Sequence, residues 1–553
     1  MCLPNAAFFP YDTLEAQIAQ PERFQPTPNG PSQVVGSSKE SGATSNKKSR
    51  ADAPQHLVVP HASHSANPIQ NIDLTTALQY GQAQGYPPLY SFLRQFVREN
   101  LQPNVPYLGG PDIALTCGST DGFAKAIEAF SNVWSEEKDW IREREGILCE
   151  EFAYMNAIQT ARPSKLLWHH IDLEGMLAGG KGGLADVLEN WDESKGKRPH
   201  LLYTVTVGQN PTGGTLSVKR RKEIYALCSK YDVIIVEDDP YWYLQYPSAA
   251  NLESQARGTP APQSTPVHTF KRSSGYQFLD SLVPSYLNID TDGRVVRLDT
   301  FSKTVAPGCR LGWITAQPAI IERIVRIAES STQQPSGFVQ AMIAELIMGP
   351  QPGVEFASKT KAEALKFTGW QTAGWVRWLE GLRGSYERRM NRMCSILEDG
   401  RFLVKQGTPI KEAEQDWAVI SKTEMYSFHW PRGGMFVWVH FNFPSHPLYD
   451  EVDGSDLSDA LWTFLSSKPY LVLPSPGKIF SPSPEILAEK GWQYFRLCFA
   501  AVSEEEIETS SRRFAAGCAA FWKIKSKKEL DDIHDPADDI EDGVANLGLN
   551  WVC

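Results

Sequence analysis

Residues 300–313 read TFSKTVAPGCRLGW. They set a primary amine, Lys303, just behind the hydroxyls of Thr300 and Ser302, with a guanidinium, Arg310, seven positions further on. A lysine amine can form a Schiff base with a carbonyl, and the hydroxyls with the arginine can hold a phosphate. The plainer reading is a surface lysine beside a loop arginine. Three other clusters bear on the choice. Gly118-Ser119-Thr120-Asp121 precedes the amphipathic stretch FAKAIEAF, so a helix start there would offer free N–H groups and a positive dipole end to an anion; an ordinary N-cap by Ser119 or Thr120 is the alternative. Gly208-Gln209-Asn210-Pro211-Thr212-Gly213 makes a turn whose Asn210 amide could donate to a ligand oxygen, or else a loop without chemistry. Glu237-Asp238-Asp239-Pro240-Tyr241 delivers acids from an apolar strand into a turn. Asp238 held against a ring nitrogen would keep that nitrogen protonated, since a nearby carboxylate favours the cation; a surface Asx turn is the alternative. Together the four clusters describe one ligand: a phosphorylated, hydroxylated, protonatable aromatic aldehyde, which is pyridoxal 5'-phosphate.

Such residues need elements that bring them to one edge. Apolar strand candidates occur at 146–151, 201–207, 233–238, 294–301 and 310–316, with helical stretches at 217–231 and 319–329 among them. Short apolar strands alternating with helices predict a mostly parallel sheet covered on both faces, which binds ligands at the carboxyl ends of its strands. The expected fold class is α/β, a large domain with a mostly parallel sheet of seven-stranded type and a smaller α+β C-terminal domain. The second unit carries strands at 434–441 and 493–499 and a closing helix near 503–523. The expected organisation is an N-terminal segment 1–24, in which Asp12-Thr13-Leu14-Glu15 opens a short helix, and a flexible low-complexity insertion 25–68. A large domain follows over 69–330 with an insertion at 252–290, then linking helices and the small domain over 331–525, and an acidic tail 526–553.

The ordered set GST (118–120), NPTGG (210–214), EDDPY (237–241), SK-x6-R (302–310) and FRLCF (495–499) resembles fold-type-I aminotransferases. More narrowly it is similar to the aromatic and kynurenine/α-aminoadipate aminotransferase group of fungi, over residues 3–24 and 70–525. The resemblance implies that Lys303 is the Schiff-base lysine and then the general base that moves a proton from substrate Cα. It implies that Asp238 pairs with the pyridine nitrogen, and that Asn210 and Tyr241 contact the ring hydroxyl oxygen. Ser119, Thr120, Thr300, Ser302 and Arg310 would surround the phosphate, and Tyr154 would stack on the ring. Tyr80, in LQYGQAQGYPPL, would reach the phosphate of a neighbouring subunit, which implies a homodimer. Arg496, with Asn210, would take the substrate carboxylate; a solvent-facing arginine on an edge strand is the plainer alternative.

The activity so implied is ping-pong transamination from an aromatic L-amino acid (Phe, Tyr, Trp) to a 2-oxo acid such as 2-oxoglutarate. The alternatives are a 2-aminoadipate or kynurenine substrate, lyase or decarboxylase chemistry on the same cofactor, or a non-catalytic scaffold. Family members carry a segment ahead of the Leu3-Pro4-Asn5 motif, so the start at Met1 implies a truncated arm, with weaker substrate closure and dimer grip.

Composition narrows the field from the other side. The 553 residues are 42% hydrophobic, enough for two or more domains. A net charge of −11 argues against nucleic acid or an anionic membrane as partner. The nine cysteines include no Cys-x-x-Cys pair, the pattern of reduced thiols rather than a disulfide frame or a zinc site, so no metal is expected. The first residues lack a basic start followed by an apolar core, and cytosol is the expected compartment.

Overall fold

Alternation at period two decides the N-terminal region. In the computed structural model, which describes residues 5–17, 56–63, 65, 67–161, 167–171, 181–260, 271–351, 354–356, 360–406 and 419–533, Thr13–Gln17 (β1) pairs antiparallel with His56–Pro60 (β2). The short helix expected at Asp12–Glu15 is therefore corrected to a strand. Leu14 and Ala16 alternate with exposed neighbours, as Leu57 and Val59 do opposite them, and only an extended chain puts each pair on one side. Of the segment expected to be flexible, residues 25–55 lie outside the described residues, and its end is this second strand.

The main sheet has seven strands: Asp112–Thr116 (β3), Gly146–Glu150 (β4), Leu167–Ile171 (β5), Leu201–Thr204 (β6), Ile234–Asp238 (β7), Val295–Thr300 (β8) and Gly312–Ala316 (β9). Their spatial order is β3-β9-β8-β7-β6-β4-β5. β8, β7, β6, β4 and β5 run parallel, and β9 runs antiparallel to both of its neighbours. Every residue of β4, β6 and β8 is buried, the near-continuous apolar run expected of strands covered on both faces. Successive residues still serve different faces. Tyr203, Val236 and Leu298 join one core with Phe123 and Ile127 of helix Ser119–Phe130. Leu202, Ile235 and Val295 join another with Ile224 and Cys228 of helix Val218–Tyr231. The first is called the front face below, the second the rear.

A hairpin of Phe402–Gln406 (β10) and Val419–Glu424 (β11) precedes a second sheet. That sheet comprises Tyr426–Ser427 (β12), Phe436–Phe441 (β13), Ser475–Pro476 (β14) and Tyr494–Cys498 (β15), in the order β12-β13-β15-β14. The 28-residue helix Ala373–Gly400 packs on helix Glu504–Phe521 behind it. The front core runs without a break into this unit through Phe436, Val437 and Leu497. The segment expected as an insertion at 252–290 holds helix Gln277–Asp280 and the end of helix Ala249–Arg257, with 261–270 outside the described residues; of the expected acidic tail, helix Lys527–Asp531 is described and 534–553 is not.

Candidate active site

Strand β7 ends in Asp238 on the front face, two residues beyond Val236, which pairs with Tyr203 of β6. The Tyr203 hydroxyl donates to Asp238 Oδ2 at 2.8 Å, while Oδ1 is buried with no hydrogen-bond partner. Burial with so few donors pushes the Asp238 carboxyl up to about 7. A buried carboxylate oxygen without a donor is costly, and a ring N–H would complete it. Past the strand, Tyr241 is buried with the edge of its ring 5.7 Å, centroid to centroid, from Phe436. Strand β8 runs into the single turn Phe301–Lys303, capped by Thr300, whose Oγ1 accepts the Ser302 amide at 3.1 Å. That turn aims Lys303 at the same place: its Nζ lies 5.9 Å from the Tyr241 ring centroid.

The anion cradle lies beside it. Helix Ser119–Phe130 starts at Gly118, which has φ +97° and no capping side chain. The N-cap reading of Ser119 and Thr120 is thereby corrected: both stand inside the first turn, and among the described residues their hydroxyls make no hydrogen bond. Glycine is favoured at position 118 by its φ of +97°, which L side chains rarely adopt, and a Cβ there would also come 2.7 Å from Arg310 Nη2 and displace it. Arg310 spans the cradle in a left-handed conformation (φ 47°), donating to Cys117 O and Pro307 O at 3.2 Å each. Thr300 Oγ1 and Ser302 Oγ are 3.0 Å apart on the adjoining turn.

Across the site, Arg496 is 6% exposed on β15, an interior strand of the second sheet, so the edge-strand reading is corrected as well. Its guanidinium lies 4.3 Å from the Phe436 ring centroid and 4.8 Å from that of Phe480. It donates to Asn210 Oδ1 at 2.7 Å and to Ser475 Oγ at 3.1 Å. The loop carrying Asn210 is tied to the end of β4 by Gln209 Nε2 on Phe152 O at 2.6 Å. It also touches the second sheet so closely that a Cβ on Gly208 would come 2.3 Å from Gly434 Cα. Tyr154 follows Phe152 and receives a hydrogen bond from Asn156 at 2.8 Å. Burial raises the hydroxyls of both Tyr154 and Tyr241, and each also lies in the fields of Asp238 and Arg496, which places all four around one centre.

Tyr80 stands apart. It is 64% exposed and lines a cleft of about 590 Å³ with its neighbours at 81–84 and with Val325 and Glu329 of helix Pro318–Ser330. Tyr203, Phe436, Phe480 and Ser475 were not singled out by the sequence reading. Strand parity relates Tyr203 to Asp238 once β6 and β7 are known to pair with Tyr203 beside Val236, but that register is visible only in the fold.

Residues 55–368 match the family model "Aminotransferase class I and II". The chain is 31% identical over 464 residues to an aromatic amino acid aminotransferase of Schizosaccharomyces pombe, covering 83% of this chain and 81% of that protein. It is 33% identical over 396 residues to an L-tyrosine:2-oxoglutarate aminotransferase of Tapinella panuoides, covering 70% and 61%. Among solved structures it is similar to aminotransferase Aro8 from Candida albicans, with a TM-score of 0.67 and 26% identity over 95% of this chain and 92% of that one.

Proposed function

The chain belongs to the class I and II aminotransferase family, and from that premise we propose that it transfers the amino group of an aromatic L-amino acid to a 2-oxo acid such as 2-oxoglutarate. Its cofactor is pyridoxal 5'-phosphate. The observation that carries the reading is the convergence on one centre of a buried acid with an open oxygen, Asp238, and a lysine amine, Lys303, beside a helix start spanned by Arg310. The aromatic preference rests on the relatives named for aromatic amino acids and for tyrosine.

When bound, pyridoxal phosphate takes the amino group from one substrate, holds it for the next, and draws electrons from the carbon that loses its proton. The chain's own residues do the rest. Asp238 Oδ1 holds the proton on the ring nitrogen. Ser119, Thr120, Thr300, Ser302 and Arg310 bind the phosphate, the backbone N–H groups of the helix start adding to them. Asn210 and Tyr241 orient the ring oxygen, and Tyr154 covers the ring. Arg496 presents a planar fork to the substrate carboxylate, with its guanidinium over the rings of Phe436 and Phe480. Lys303 Nζ, which lies 5.9 Å from the Tyr241 ring centroid, would move the Cα proton of the substrate. Two half-reactions at one centre require ping-pong kinetics.

The exposed Tyr80 beside its cleft supports a homodimer in which this side chain completes the neighbour's phosphate site; the compartment proposed is the cytoplasm. No helix among the described residues is long and apolar enough to cross a membrane. The test is an absorbance spectrum of the purified chain. A visible band that bleaches with phenylalanine and returns with 2-oxoglutarate is expected, and Lys303→Ala should lack it. Release of CO2 or ammonia without an oxo-acid acceptor would sink the transaminase reading.

A further inference from the structure

Asp238 is flanked by two acids that face away from the site. Strand parity turns Glu237 and Asp239 to the rear, where they meet Arg297 and Asp299 of β8 and Arg221 of helix Val218–Tyr231; all five are at most 2% exposed. Arg297 is the centre of the cluster. Its Nε and Nη2 donate to the two oxygens of Asp299 at 3.0 Å each, and its Nη1 lies 3.1 Å from Asp239 Oδ2 and 3.3 Å from Glu237 Oε2. The Trp242 ring covers the guanidinium at 5.2 Å. Arg221 donates to Glu237 Oε1 at 3.2 Å, and Ser285 and the Tyr286 amide also donate to Glu237.

This cluster reaches the front at Thr206: Arg221 Nη2 donates to Thr206 O at 3.2 Å, the Thr206 hydroxyl lies 3.3 Å from Glu237 Oε1, and the closest contacts are to Asp239. Asp239 Oδ1 accepts the amides of Thr206 (2.8 Å) and Val207 (3.1 Å), and Oδ2 accepts the Thr206 hydroxyl at 2.5 Å. Those residues open the loop that ends at Asn210, the partner of Arg496. Asp239 is also the chain neighbour of Asp238, so one side chain fixes both the ring-nitrogen acid and the loop of the ring-oxygen ligand.

We propose that Arg297 is a positioning residue of the active site: from the far side of the sheet it locks Asp239, and through it sets the placement of Asp238 and Asn210 and the field in which Asp238 works. A lock of some kind is needed here, because three buried acids against two arginines would otherwise repel one another, and low polarity gives each ion pair more weight than it has in water. The same charges act on Asp238 itself: Asp239 and Asp299 raise its carboxyl and Arg297 lowers it.

The inference rests on the cofactor reading above, and its test separates the two. The full chain is loaded with pyridoxal phosphate, and cofactor dissociation and the pH midpoint of the visible band are measured. Arg297→Lys keeps the charge and loses the fork: cofactor affinity should fall about tenfold with the midpoint unmoved. Arg297→Gln removes the charge as well, leaving the site more negative, and the midpoint should rise by about one unit. Thr206→Val removes the hydroxyl that bonds Asp239 at 2.5 Å and lies 3.3 Å from Glu237, leaves both arginines in place, and should weaken the cofactor about threefold; it decides the matter if Arg297→Gln does not fold. Leu457→Ala, a core truncation in the second unit, should lower the melting temperature without moving the midpoint. Folded Arg297 and Thr206 variants that keep wild-type affinity and midpoint would overturn the proposal, as would an equal midpoint shift in Leu457→Ala. A wild-type chain with no band at all overturns both readings.

Discussion

The two faces of the main sheet carry acids at the same strand ends and treat them oppositely. On the rear, Glu237, Asp239 and Asp299 are matched by Arg297 and Arg221 with amides and hydroxyls besides. On the front, Asp238 has one tyrosine donor and an oxygen with none, and the first-turn hydroxyls of Ser119 and Thr120 bond nothing among the described residues. A structural cluster closes on itself because buried polar groups left open are costly; a binding site stays open where its ligand will close it. Burial alone would not distinguish the two faces. The state of the hydrogen bonds separates Asp238 from Glu237, Asp239 and Asp299; Glu150, also on the rear, is the exception, with one oxygen that has no partner.

The comparison can be broken most forcefully at Lys303. Lys303→Ala should lower turnover by at least about a thousandfold while leaving the rear face, and therefore the melting temperature of the protein without cofactor, nearly unchanged. A large loss of stability instead would make Lys303 a structural residue. Next comes Arg496→Gln, for which kcat/KM toward amino acids should fall about a hundredfold with cofactor affinity retained; equal losses in both, measured by titration and steady-state kinetics, would place Arg496 at the cofactor rather than the substrate.

The pH dependence of stability probes a fifth acid, Glu150 at the end of β4. It accepts from Thr204 Oγ1 at 2.5 Å, and its other oxygen has no partner. Burial pushes it up to about 7. Because its folded value is raised above its unfolded one, its contribution is fully present below the unfolded value near 4.5 and is lost as pH rises through about 7. Glu150→Gln should therefore flatten a slope worth about 3 kcal/mol over that window, read from denaturant melts at a series of pH values. Asp238 has the same sign in the protein without cofactor, and loading should remove its part of the slope. The smallest effect belongs to Phe436→Leu, which takes one ring from beneath Arg496 and should raise KM for amino acids about fivefold, the equivalent of about 1 kcal/mol.

Much of the front face was legible beforehand. Lys303, Arg310, Asp238, Asn210 and Arg496 stand in short motifs whose residue types speak for themselves, and the structure brings them around one centre. The strands at 233–238 and 294–301 were legible as well, since a parallel strand buried on both faces is a continuous apolar run. The N-terminal strand was not. Five residues of weak alternation read equally well as a helix start until β2, 39 positions beyond the end of β1, is seen to pair with it. The reversed direction of β9 was hidden for a related reason, since chain direction leaves no mark on an apolar run.

What the sequence determined by itself is chemistry: which amine, which acids, which guanidinia, and the strand ends that carry them. Glu237-Asp238-Asp239 shows where that knowledge stops. Three acids in a row are nearly identical as text, and only the pairing of β7 between β6 and β8 turns the middle one to a front face short of donors and its neighbours to a rear face filled by Arg297 and Arg221. Side-chain direction follows from strand parity, which is local, but whether a direction leads to a partner or to an opening is settled by packing between elements far apart in the chain.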